Sequence, residues 1–206
     1  MNVFKTEQYR VGKALNFSYL LIDTESGEAA VVDPSFETAQ VETALASSGA
    51  KLKYILLTHH HYDHVQEADS LSRKTGAKIV AHASSKVRHD IGLEDGQSVS
   101  LGSTEVKLMH TPGHTSDSSC YLASGNLYTG DTLFVGECGR VDLDDSDPER
   151  MYESLLVKLP ALPDDVIVFP GHDYGKTPSS TIGMEKRSNY TMQKRTKEAF
   201  LEFMIS

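Results

Sequence analysis

Seven residues, Thr58-His59-His60-His61-Tyr62-Asp63-His64, hold four histidines and one aspartate. They follow Tyr54-Ile55-Leu56-Leu57, an apolar, branched run that reads as a buried strand. The chain therefore leaves a rigid element and at once offers imidazoles and a carboxylate. Imidazole suits Zn, Fe, Ni and Cu, and a carboxylate adds a hard oxygen donor. Stability asks for nothing of this kind at a strand end. A merely solvated polar loop would leave three later signals unexplained. Thr111-Pro112-Gly113-His114-Thr115 sets a histidine beside a Pro-Gly turn. Thr129-Gly130-Asp131-Thr132 sets an aspartate after Asn126-Leu127-Tyr128, and Phe169-Pro170-Gly171-His172-Asp173 sets a histidine after the apolar run from Val166. Each polar group stands where a strand passes into a loop, and such positions converge at one edge of a layered sheet protein.

The elements that must position these groups alternate between strand and helix. Leu15 to Ile22 and Ala29 to Asp33 read as strands joined around Glu25-Ser26-Gly27. Ser35 is a candidate cap for a helix from about Glu37 to Ser47, with Val41, Ala44 and Leu45 on its apolar face. After the histidine-rich loop, Val65, Ala68 and Leu71 predict a helix ending near Gly76, and Lys78 to Ala81 a short strand. The second half opens with two hairpins, Ser98–Leu101 with Glu105–Met109 and Ser119–Ala123 with Leu127–Thr129. Asp147-Pro148-Glu149 is a helix start with proline at the first helical position, continued by Met151, Leu155, Leu156 and Leu159 and ended by Pro160 and Pro163. Val166 to Phe169 returns to strand, and Met192 to Met204 reads as an amphipathic helix.

In chain order His59, His61, Asp63, His64, His114, Asp131 and His172 form the pattern His-x-His-x-Asp-His, then one His, one Asp and a final His. On this pattern the sequence resembles the metallo-β-lactamase superfamily over nearly its whole length. The resemblance implies an α/β fold, a four-layer αββα sandwich, with residues 1–206 as one domain. It implies two divalent metals, Zn or alternatively Fe or Mn. His59, His61 and His114 would hold the first, Asp63, His64 and His172 the second, and Asp131 would bridge them. Asp63 and Asp131 would be the catalytic carboxylates. His60 would point away, because alternate residues face opposite ways. Two metals about 3.5–4 Å apart can hold a hydroxide and polarise a carbonyl, and a bound metal lowers the pKa of its water toward about 7.

Within the superfamily, His61 stands where flavodiiron proteins carry Glu, and no cysteine completes the second site as in many β-lactamases. Two branches remain open. Tyr62, Gly130-Asp131-Thr132-Leu133-Phe134, Cys138-Gly139-Arg140 and Pro170-Gly171-His172 with Tyr174 resemble glyoxalase II, a hydroxyacylglutathione thioesterase. Cys138-Gly139-Arg140-Val141-Asp142, His172-Asp173-Tyr174 and Ser180-Thr181-Ile182-Gly183-Met184-Glu185-Lys186 resemble persulfide dioxygenases, which use a single Fe(II) on residues matching His59, His114 and Asp131. Tyr62 and Gly171 depart from that branch, where Ala is common at both. The 34 residues after His172 depart from full-length glyoxalase II, whose helical domain grips glutathione. The expectation is a metal-dependent hydrolase cleaving a thioester such as a hydroxyacyl-thiol, with the dioxygenase as the alternative and a non-catalytic metal-binding module as a minor one. A closed structural Zn site would use cysteine, and no thiolate belongs to this set.

Around this centre, Arg140 is expected to meet a substrate carboxylate through its guanidinium fork, or else to pair with Asp142, Asp144 or Asp145. Tyr174 is expected to donate a hydrogen bond to the substrate, and Asp173 to orient His172 or a neighbouring ligand. Lys186 reads as solvated, Cys138 as a small buried residue, and His82, His89 and His110 as surface or satisfied core histidines. Loops near 134–147 and 173–190 would shape the pocket. A formal net charge of −9 argues against nucleic acid as a partner, since a phosphate backbone wants a basic stripe. No apolar stretch approaches 18 residues, so no membrane partner is expected. The first residues carry no secretory pattern, and Cys120 and Cys138 form no disulfide framework. The expected partner is a small thiol-derived substrate in the cytoplasm, and the family resemblance allows a homodimer.

Overall fold

The structure is a computed structural model, and it describes residues 3–205. The first half builds β1 (Phe4–Val11), β2 (Asn16–Asp23) and β3 (Glu28–Val32) as an antiparallel meander. Helix α1 (Ala39–Ser48) then carries the chain back so that β4 (Lys51–Leu56) lies parallel to β3. The histidine-rich segment and its short helix α2 (Tyr62–Val65) follow, then α3 (Ala68–Thr75), β5 (Lys78–His82) and β6 (Ile91–Leu93). The six strands form one sheet in the order β1-β2-β3-β4-β5-β6.

In the second half β7 (Ser98–Leu101), β8 (Thr104–His110), β9 (Ser119–Ala123) and β10 (Asn126–Gly130) pair antiparallel in sequence. A small hairpin of β11 (Leu133–Phe134) and β12 (Glu137–Cys138) comes next, then α4 (Pro148–Tyr152). Strand β13 (Ile167–Pro170) lies parallel to β10, and β14 (Ser180–Thr181) closes the edge before α5 (Ile182–Ser188) and α6 (Lys197–Ile205). The second sheet runs β14-β13-β10-β9-β8-β7.

Alternation explains the layers. Tyr19, Leu21, Ala30, Val32, Leu56 and Val80 face one way and meet Val106, Leu108, Tyr121 and Tyr128 of the other sheet. Their neighbours Leu20, Ile22, Val31, Ile55 and Ile79 face the opposite way and pack with Val41 of α1 and Leu71 of α3. On the far side, Cys120, Leu127 and Val168 pack with Met151, Leu155, Ile182 and Phe200. The result is the four-layer αββα sandwich expected from the sequence, with about 1.5–3 kcal/mol of hydrophobic stabilisation for each large apolar side chain fully buried.

Several local expectations change. Ser35 does not cap α1. The N-cap position is Thr38, whose side chain makes no capping bond, and Ser35 Oγ instead donates to the Asp63 carbonyl. The helix expected from Val65 to Gly76 is split, with Gly76 in the left-handed conformation ending its second part. Asp147 does cap α4, accepting from the Glu149 and Arg150 amides ahead of Pro148. Beyond Tyr152 the chain widens into a π-helical stretch, Glu153–Lys158, and ends in a 3-10 turn at Leu159–Ala161. The last helix starts at Lys197, because Tyr190–Met192 forms a separate turn capped by Asn189. Strand β1, with its mixed and partly polar faces, and the short α5 have no clear signal in the sequence pattern.

Candidate metal centre

The strand ends meet at one edge. The Gly171 amide donates to the Gly130 carbonyl (2.8 Å), so the parallel pair β10 and β13 delivers Asp131 and His172 side by side. The two sheets are tied at the same place. Phe17 N donates to Gly171 O (2.8 Å), Asp173 N to Leu15 O (2.8 Å) and Ser119 N to Thr58 O (2.9 Å). Two glycines make this approach feasible. Gly130 has φ +48°, and a Cβ there would fall 2.3 Å from Thr58 Oγ1; a Cβ on Gly171 would fall 2.4 Å from Asp131 Oδ1.

Two donor groups result. His59, His61 and His114 bring ring nitrogens within 4.8 Å of one another, and His61 Nδ1 faces His114 Nε2 at 3.0 Å. Asp63, His64 and His172 form the second group. There His64 Nε2 and His172 Nε2 are 3.2 Å apart, each 3.6 Å from Asp63 Oδ2. Asp131 lies between the groups. Its Oδ1 is 3.2 Å from His64 Nε2, and its Oδ2 is 3.5 Å from His114 Nε2 and 3.3 Å from His172 Nε2.

The outer nitrogens decide what the inner ones can do. Thr58 Oγ1 donates to Asp33 Oδ2 (2.6 Å), so it accepts from His59 Nδ1 at 3.0 Å. His64 Nδ1 donates to Asp33 Oδ2 (2.9 Å), His114 Nδ1 to the Arg140 carbonyl (2.9 Å) and His172 Nδ1 to the Ala14 carbonyl (2.9 Å). In each neutral ring the proton is thereby placed on Nδ1 and the lone pair on Nε2. Those lone pairs point at one another and at carboxylate oxygens, an arrangement that a cation satisfies. His59 Nε2 is buried with no hydrogen-bond partner. Asp131 Oδ1 is also buried and lacks hydrogen-bond geometry, although His64 lies near it. The residues present thus fit divalent metal.

Electrostatics point the same way. Burial, with His64, His114 and His61 close by, holds His59 well below the ordinary imidazole range. Burial and His114 push His61 down to about 4. Burial alone would raise the Asp131 carboxyl, but the close approach of His64, His172 and His59 holds it well below its usual range. Burial alone would likewise lower His64, yet the Asp131 and Asp33 carboxylates lift it well above.

All seven expected residues, His59, His61, Asp63, His64, His114, Asp131 and His172, come together at this edge. His60 turns away, its Nδ1 2.8 Å from Asp117 Oδ1. Arg140 is exposed and makes a bidentate pair with Asp142 (2.5 and 2.6 Å). Tyr174 stands half-exposed at the mouth, its ring stacked on His172 (4.7 Å, 9°) and edge-on to Phe134. Asp173 does not orient a ligand; it pairs with Arg10 at 3.1 Å. Lys186 pairs with Asp164 at 2.7 Å. Cys138 is buried and its thiol is pushed up to about 12 by that burial. His82 and His110 stack at 3.8 Å, and His89 Nδ1 contacts the Val87 carbonyl.

The pattern reading missed Asp33, Asn16 and Thr58. Asp33, in a left-handed conformation (φ 45°), accepts from the Thr58 amide, the Thr58 hydroxyl and His64. Asn16 Nδ2 donates to the Asp63 carbonyl (3.1 Å) and carboxylate (3.0 Å). Asp33 had a signal: like the other site residues it is a charged group at a strand end, followed by Pro34.

Residues 12–172 match the metallo-β-lactamase superfamily, and the chain belongs to that family. It is 37% identical over 194 residues, 91% of this chain and 86% of the relative, to a probable polyketide biosynthesis zinc-dependent hydrolase of Bacillus subtilis. It is 39% identical over 188 residues (89% and 72%) to a hydroxyacylglutathione hydrolase of Rhodopseudomonas palustris. A mitochondrial persulfide dioxygenase of Bos taurus is 34% identical over 181 residues (86% and 71%). Among solved structures, ETHE1 from Myxococcus xanthus superimposes with a TM-score of 0.93 at 30% identity, covering 98% of this chain and 90% of that one. Among the described residues, no helix is long and apolar enough to cross a membrane.

Proposed function

We propose that the chain is a metal-dependent thioester hydrolase, with His59, His61 and His114 holding one divalent metal, Asp63, His64 and His172 a second, and Asp131 shared between them. The observation that carries this reading is the position of Asp131, whose two oxygens face both donor groups at 3.2–3.5 Å. When bound, divalent metal supplies a Lewis acid and a water acidic enough to serve as nucleophile near neutral pH.

The protein's own groups supply the rest. Asp63 is the more exposed of the two carboxylates. Asn16 donates to its Oδ2, which lies beside the His64 and His172 rings, and this leaves its other oxygen to take the proton of the attacking water. The new C–O bond forms as the C–S bond breaks, and the thiolate leaves without needing prior protonation. Tyr174 is held above its ordinary pKa by burial and by Asp131 and Asp63, so its phenol stays protonated and can donate to the substrate. Arg140, exposed and two residues from its partner, can exchange Asp142 for a substrate carboxylate.

The relatives named as a zinc-dependent hydrolase and a hydroxyacylglutathione hydrolase support the reading. The likeness to ETHE1 favours a second one, a persulfide dioxygenase using one Fe(II) on His59, His114 and Asp131. The stretch from Ser180 to Lys186, one of the motifs that resemble that alternative, has a scaffold role available. Ile182 is core, and buried Glu185 accepts from the Gly136 amide and Asn189. The test is release of free thiol from S-lactoylglutathione and simple acyl thioesters by the metal-loaded protein. Chelator-sensitive release equal to the acid formed is expected; no release from any thioester by folded, loaded protein overturns the reading.

A further inference from the structure

His60 lies between two residues of the first donor group, yet its ring faces the other way. Its partner there is not solvent. Asp117, 2% exposed, accepts from His60 Nδ1 (2.8 Å), Thr115 Oγ1 (2.7 Å) and Ser85 Oγ (2.6 Å). Thr115 directly follows His114, and its amide and hydroxyl are held in turn by Ser118 Oγ (3.1 and 2.7 Å). One buried carboxylate thus joins the loop carrying His59 and His61, the loop carrying His114, and the Ser85 segment after β5. The Ser119–Thr58 backbone bond runs beside it. Burial alone would raise the Asp117 carboxyl, but the bonds from Ser85, His60 and Thr115 hold it below its ordinary range. Asp63 and His64 follow His60 in the same segment, but among the described residues neither they nor His172 hydrogen-bonds Asp117; they are held by Asn16, Asp33 and the Ala14 carbonyl.

We infer that Asp117 and His60 are positioning residues that set the spacing of His59 and His61 against His114, and so tune the first metal position and not the second. This rests on the metal reading above. Neither residue is itself assigned as a ligand. Second-layer partners of metal-binding histidines are worth about 10–100-fold in metal affinity. Here the effect would pass through a residue adjacent to the ligands in sequence and not through their own outer nitrogens.

The test uses the full chain stripped of metal and titrated with Co(II), followed by its visible spectrum, with amide hydrogen exchange of the metal-free protein alongside. His60→Leu keeps bulk but cannot donate to Asp117; His60→Asn keeps an N–H near the place of Nδ1. His60→Leu is expected to weaken one Co(II) binding phase tenfold or more and alter its spectrum, leaving the other phase unchanged. His60→Asn is expected to behave as the unaltered protein. In metal-free His60→Leu, exchange should quicken over residues 59–61 and 111–118 but not over 63–65 or 170–174. Equal behaviour of Leu and Asn, or equal weakening of both phases, overturns the inference. Should the unaltered protein bind no Co(II), the metal reading falls. The exchange data then decide the brace alone: faster exchange confined to the two loops supports it, and unchanged exchange overturns it. Asp117→Asn, which keeps shape and loses charge, provides a second route with the same expected selectivity.

Discussion

The two donor groups of the centre are built differently. The group of Asp63, His64 and His172 is fastened to the scaffold: His64 to the buried Asp33 carboxylate, Asp63 to the Asn16 amide, His172 to a backbone carbonyl of the loop before β2. The group of His59, His61 and His114 is held less directly: His59 reaches Asp33 only through Thr58, His114 rests on the Arg140 carbonyl, and half-buried His61 faces His114. The difference maps onto the two chemistries. A one-iron dioxygenase needs only His59 and His114 with Asp131, whereas a two-metal hydrolase needs both groups. Both branches keep all seven residues in sequence, so metal occupancy of the fastened group, and not its presence, separates the two readings.

The largest expected effect comes from removing the shared residue. Asp131→Ala should lower kcat/KM for thioesters about a thousandfold or more, since both donor groups lose their common oxygen ligand; steady-state kinetics with metal analysis checks this. Sharper still is His172→Ala, which touches only the fastened group. Thioester turnover should fall about a hundredfold or more with one metal equivalent lost, and unchanged turnover with one metal retained would move the chemistry to the loop-borne group.

Smaller effects compare the fastenings. Asp33→Asn removes the acceptor charge shared by His64 and Thr58 and should weaken metal binding about 10–100-fold, read by titration against a competing chelator. Asn16→Ala should cost about tenfold at the same position. Removal of metal altogether should lower the thermal midpoint. At ligand concentrations about a hundredfold above Kd the bound form gains about 2.7 kcal/mol, which for a domain of this length is about 5–10 °C. Arg140→Ala should leave kcat and the thermal midpoint alone and raise KM by no more than about fivefold, only for thioesters bearing a carboxylate.

How much of this was legible in the sequence depends on the kind of signal. The seven site residues stand where strands pass into loops, so type and position pointed to one edge, while the family resemblance supplied their division into two donor groups. The central strands were legible for the same reason, because Tyr19, Leu21, Val31 and Ile55 are apolar on faces that are buried on both sides. What escaped depends on long-range partners. Asp33 looks like an ordinary strand-end turn residue until Thr58 and His64 arrive from β4. Ser35 has the chemistry of a helix cap but is drawn instead to the Asp63 carbonyl. Asp173 adjoins a site residue in sequence, yet its side chain leaves toward Arg10. The widening after Tyr152 falls where Leu155 and Leu159 join the core under the second sheet, and periodicity does not report it.

The most direct test of the central claim is oxygen consumption by Fe(II)-loaded protein given glutathione persulfide. A two-metal thioester hydrolase predicts no enzyme-dependent uptake from protein that, in the same preparation, releases thiol from a thioester. Rapid uptake with formation of sulfite would contradict it and make the loop-borne histidines with Asp131 a one-iron oxygenase centre.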